Sequence, residues 1–185
     1  MPMLKTVRMT TFVALIATAV RLGAAEPDTK IDPAGKPKSF KAGKEACFAL
    51  WFADGQWHVR GTVKKGDFAK LQGSVKLDGG EIADGNFDQM ETKSKKRDHD
   101  SVSLDHDKQG FHFYFGNAGA SDGLDFKVSD ACKTVTFGML IDSHPSTENV
   151  LIGSKGVHPA TNPFTLQAHP DEASEKPAGK KKSND

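Results

Sequence analysis

Two aspartates three residues apart, split by a glycine, are the residues of this chain best spaced for chemistry: Ser121-Asp122-Gly123-Leu124-Asp125. Carboxylate oxygens in a short loop suit a hard cation, and calcium is the ion they would take. Asp122 and Asp125 are thus the candidate metal ligands. The spacing of an EF-hand is missing, and Asp-Gly is also an ordinary turn pair. The turn reading therefore comes first, and no cofactor is expected unless calcium binds here. Histidines beside carboxylates offer a second metal chemistry, in which the acid orients the imidazole. Asp98-His99-Asp100 and Asp105-His106-Asp107 have this form. On one strand, His99 and His106 would point to opposite faces and could share an ion only across a bulge or turn. The basic run 93–97 precedes them, and the stretch reads as a solvated hairpin of interleaved charges.

A third constellation suits binding. His58 and Arg60 share the polar face of one strand pattern, and His112 and Tyr114 share the polar face of another. If those strands are neighbours, the four residues, with Trp57 beside them, build a concave polar patch with aromatic character. Such a patch fits a sugar or a peptide. The plainer reading is that they are ordinary solvent-facing residues. His144-Pro145 and His158-Pro159 read as loop entrances, and Asn162-Pro163 can take a cis bond. Catalytic templates are missing: there is no Gly-x-Ser-x-Gly elbow, no His-Glu-x-x-His and no phosphate-cradling glycine loop. Asp122 and Asp125 alone do not make an acid/base pair. No catalytic residue is assigned.

The elements that must carry these groups have a period of two. Trp57, Val59, Gly61 and Val63 alternate with His58, Arg60, Thr62 and Lys64. Leu71 to Leu77, Leu124 to Val128 and Val135 to Ile141 alternate in the same way, as half-buried strands do. Phe111, Phe113 and Phe115 share one face. Residues 45–52 (EACFALWF) are apolar on both faces, the pattern of a central strand covered on both sides. Asp54-Gly55 and Asp78-Gly79-Gly80 read as hairpin turns. No sustained helical stripe interrupts these patterns. The expected fold is all-β: an antiparallel β-sandwich of about eight to ten short strands, with a closed antiparallel barrel as the alternative. Twelve phenylalanines against one tyrosine mark the aromatics chiefly as core material.

Compartment follows from the first residues. Lys5 and Arg8 precede the apolar run 12–20, and small residues close the segment at Gly23 and Ala25. This is the plan of a secretory signal peptide over 1–25, too short to remain as a membrane anchor. Residues 26–44 read as a flexible leader, 45–169 as a single β domain, and 170–185 as a disordered polar tail. The part beyond residue 25 is slightly acidic, which argues against nucleic acid as a partner. Cys47 and Cys132 are the two cysteines. In an exported chain they read as a disulfide, worth roughly 4–5 kcal/mol for so long a loop. The function expected is a periplasmic or secreted, monomeric, non-enzymatic module that binds a glycan, a peptide or an envelope partner. The rival is a metal-dependent protein or hydrolase that gathers Asp122 and Asp125 with His99, His106 or His158. A structural envelope component is the third reading.

Overall fold

The computed structural model of the chain describes residues 26–38, 46–64, 69–85, 100–116 and 121–171. Eleven strands are found there: β1 (Cys47–Ala53), β2 (Gln56–Thr62), β3 (Lys70–Asp78), β4 (Ile82–Gly85), β5 (Ser101–Leu104), β6 (Gly110–Gly116), β7 (Ser121–Val128), β8 (Thr134–Ile141), β9 (His144–Pro145), β10 (Val150–Ile152) and β11 (Phe164–Gln167). A five-stranded sheet has the order β10-β1-β2-β7-β4. A six-stranded sheet has the order β11-β8-β3-β6-β5, with β9 beside β8. The two pack face to face as a sandwich, and among the described residues no closed barrel forms. Between the named strands pairing is antiparallel except for β10 with β1.

Alternation sends one set of side chains from each sheet inward. Phe48, Leu50, Trp57, Val59, Leu124 and Phe126 come from the five-stranded sheet, and all are buried. Leu71, Val75, Phe111, Phe115, Phe137 and Met139 meet them from the other. Edge-on ring contacts tie the layers: Phe111 to Phe126 at 5.1 Å and Phe48 to Phe113 at 6.1 Å between centroids. Each such pair adds about 0.5–1.5 kcal/mol to simple burial. β1, apolar on both faces, is indeed flanked by two strands and buried along its length. Asp54 and Gly55 form its hairpin to β2, both with positive φ as a type I′ turn needs.

Two expectations are overturned. Asp78-Gly79-Gly80 is not a hairpin. Both sides of β3 are taken, by β6 and β8, so the chain crosses to the other sheet and β4 pairs with β7. Nor are Cys47 and Cys132 joined. Register separates them. Cys47 lies opposite Thr62, which lies opposite Ser121 at the start of β7. Cys132 follows the far end of that strand, and eight extended residues span roughly 23 Å. A disulfide needs Cα atoms within about 7 Å. The Cys132 thiol instead donates to the Thr134 carbonyl at 3.3 Å, and burial, above all, pushes its pKa up. Reductant is therefore expected to leave the urea midpoint unchanged. A fall equivalent to several kcal/mol on reduction would restore the disulfide.

Residues 28–36, which composition assigns to the leader, lie along the sandwich. The Asp28 amide donates to the Thr165 carbonyl on β11. Ala34 pairs with Phe52 just beyond the point where β10 stops, and Ile31 and Ala34 are buried. This segment thus touches both sheets. The signal-peptide segment 1–25 and residues 172–185 lie outside the described residues.

Candidate functional site

Each sheet has an outward face, and the candidate residues divide between them. On the five-stranded sheet the register places Trp51, His58 and Asp125 side by side in one row. His58 Nδ1 donates to Asp125 Oδ1 at 2.7 Å, since a carboxylate only accepts. Arg60 reaches the same oxygen at 2.6 Å and donates to the Leu124 carbonyl at 2.8 Å. To do so it lies across Gly123, where a Cβ would meet its Cδ at 2.2 Å. The His58 ring stacks on Trp51 at 4.8 Å and 14°. Arg60 and Lys36 each stand 5.4 Å from the centre of the indole ring system. Trp51 and His58 are consequently buried, although they point away from the core. His58–Asp125 has the hydrogen bond of a base and its orienting acid. Its base, however, is roofed by Trp51 and faces the Ala53 carbonyl with Nε2 at 3.3 Å. The cluster is a closed polar clasp.

Burial raises the Asp125 pKa, but the hydrogen bond and charge of Arg60, with those of His58, outweigh it and hold the carboxyl below its ordinary value. The sign follows. A depressed folded pKa gives stability that is present above the unfolded value, near 3.9, and is lost as pH falls through the lower folded value. The wild type is expected to lose stability below about pH 4 faster than Asp125→Asn. Parallel melting curves of the two proteins between pH 2 and 6 would contradict this.

The outward face of the six-stranded sheet is different. Cross-strand register lines up Ser101, Tyr114, Gln72, Leu140 and Pro145 in one row across β5, β6, β3, β8 and β9. The next row holds Ser103, His112, Ser74 and Gly138. A groove of about 370 Å³ opens over the middle of these rows. Ser74 and Gly138 form part of its floor, and Leu140, Pro145, Asn162 and Pro163 stand on one side. That side is fixed. Asn162 accepts from the Met139 amide at 3.1 Å and donates to the Met139 carbonyl and to Ser146 O at 2.8 Å. The Asn162-Pro163 bond is cis. On β6, His112 is exposed and Tyr114 half-exposed.

Several expected groupings do not form. His58 and Arg60 lie on one sheet and His112 and Tyr114 on the other, so they cannot share one patch. Trp57 faces the core, fully buried, with Nε1 donating to the Ala168 carbonyl at 3.0 Å. Asp122 and Asp125 are not in a loop but within β7. Three residues apart on a strand, they face opposite ways: Asp122 lies buried on the inward side and Asp125 lies in the clasp. They cannot hold one calcium ion. Asp98 and His99 are outside the described residues. His106 is exposed on the β5–β6 turn, and His158 bonds to the Val150 carbonyl at 2.8 Å. No cluster of three or more His, Cys, Asp or Glu suited to a metal occurs among the described residues. His144-Pro145, read as a loop entrance, forms β9 after a tight Asp142-Ser143 turn.

Gln72, Ser74, Gly138 and Leu140 were absent from the candidate set. Their signal was available as the outward half of two alternating segments, but alternation does not say which strands are neighbours.

Fold and groove together define a class, a two-sheet β-sandwich domain with an open trough on one face. No family model matches the chain, and no curated protein matches it. Among solved structures, the crystal structure of ChBD2 from Thermococcus kodakarensis KOD1 aligns with 57% of this chain and 96% of that one, at 14% identity and a TM-score of 0.30. That likeness is too slight to carry an argument about fold or function.

Proposed function

We propose that this protein is an exported, non-enzymatic binding module that seats an extended ligand in the groove across its six-stranded sheet. The observation that carries the reading is the contrast between the two faces. His58, Arg60 and Asp125 of the five-stranded face satisfy one another, whereas the polar groups of the six-stranded face line an open trough with a pinned wall. Preorganised walls favour binding because little ordering is left to do when the ligand arrives. The amino-terminal pattern of charge, apolar run and small residues supports a periplasmic or secreted location. A leucine at position 138 would fill the floor beside Ser74, where even a Cβ would stand 2.8 Å from Oγ. Gly138→Leu is expected to abolish retention on a polymer column that holds the wild type. Lys127→Ala, exposed on β7 of the other sheet, is expected to keep it. Equal retention of all three proteins would sink the assignment.

A further inference from the structure

We infer that the ligand of this groove is a neutral glycan lying across the strands, a conclusion that rests on the groove being the binding site. Three features carry it. The first is charge. Among the described residues, no lysine, arginine, aspartate or glutamate lines the groove. Lys70 and Lys76 are exposed on the same face of β3, but each lies beyond the two rows, at the ends of the strand. An anionic polymer would run along β3 from one lysine to the other. The two rows, whose described residues include no lysine, arginine or carboxylate, run across it.

The second feature is the disposition of backbone groups. A peptide that adds to a sheet needs an edge with open amides and carbonyls. The groove lies over β3, β6 and β8, whose main chains are paired with one another. What they present outward is side chains, and these are hydroxyls, an amide, the His112 imidazole and small apolar surfaces. Such a set matches a ligand that alternates hydroxyl groups with C–H faces. Ser74, Gln72 and Ser103 can each donate and accept towards sugar hydroxyls. Tyr114 and Leu140, in the Gln72 row, supply surfaces for the apolar sides of pyranose rings.

The third feature is length. From β5 to β9 the row crosses four interstrand gaps, or roughly 19 Å, room for about four linked pyranose rings. Binding should therefore strengthen with chain length up to about four units and then level off.

The test is affinity electrophoresis of the full protein in gels containing a mixed-linkage β-glucan, a galactomannan, an α-glucan, alginate or heparin. An immobilised library of extended peptides would be run alongside. At least one neutral polymer is expected to retard the wild type, with the affinity falling about tenfold or more in Tyr114→Ala and in Leu140→Ala. Both side chains are half-exposed, and thermal melts of the variants are the check that they fold. Retardation by alginate or heparin, or capture by peptides, that is lost in Gly138→Leu would overturn the neutral-glycan inference and leave the site standing. A polymer that Gly138→Leu and Tyr114→Ala both bind as tightly as the wild type does would overturn the site itself. Failure of every neutral polymer to retard the wild type would overturn the neutral-glycan inference.

Discussion

Replacing Trp57 with alanine is expected to destabilise the protein by about 3–5 kcal/mol, the range for a large aromatic removed from a packed core. Trp57 is fully buried, lies 5.5 Å from Phe52 and 5.2 Å from Phe137 between ring centroids, and so bridges both sheets. Its loss would leave a cavity between layers that cannot close without breaking strand register. It would also strip the Ala168 carbonyl of its indole donor. Trp57→Phe separates the two effects: it keeps much of the apolar volume and loses the hydrogen bond, for about 1–3 kcal/mol. Urea unfolding of the three proteins is the check. An alanine variant within about 1 kcal/mol of the wild type would mean that the indole is not in the core, and Trp57 would return as a surface candidate.

Gly153→Ala is expected to cost about 2–4 kcal/mol and to loosen the segment around residue 32. Gly153 has a φ of +64°, where an L side chain is strained. A Cβ there would lie 2.1 Å from the Asp32 carbonyl oxygen, a main-chain atom that cannot swing aside as a side chain does. The segment is held next to that contact by main-chain bonds from Ser154 to Ala34 at 3.0 Å, Gly35 to Phe52 at 3.0 Å and Phe52 to Pro33 at 2.9 Å. Lifting it would expose Ile31 and Ala34 and withdraw Lys36 from Trp51. Two readouts follow: lower stability, and faster proteolytic cleavage within residues 26–38. Wild-type stability with unchanged cleavage would contradict the docking of this segment against Gly153.

The strands were legible because burial writes itself into alternation. Phe111, Phe113 and Phe115 mark an inward face, and His112 and Tyr114 an outward one, with no knowledge of the partner strand. The Asp54-Gly55 turn was legible because few pairs tolerate two positive φ angles in succession. What period two cannot encode is the neighbour. The β2–β7 pairing that makes the clasp joins His58 to Asp125, 67 residues apart. Once Asp125 is read within a strand rather than a loop, its separation from Asp122 across the sheet follows. Trp51 was hidden in a wholly apolar run, and nothing local distinguishes its outward side from the inward side of Phe52. The disulfide expectation rested on compartment, which says what cysteines can do and nothing of where register puts them. Residues 28–36 dock largely through main-chain bonds and small side chains, a mode of attachment that composition does not report.

On this reading, ligand binds the six-stranded face. Mapping backbone amide chemical shifts during titration with the best neutral polymer from the electrophoresis panel tests it most directly. Shifts are expected to be confined to β3, β6 and β8, greatest at Gln72, Ser74, His112 and Leu140, with His58, Arg60 and Asp125 unmoved. Shifts centred on the Trp51, His58 and Asp125 row instead would contradict it, and would mean that the clasp opens to take the ligand.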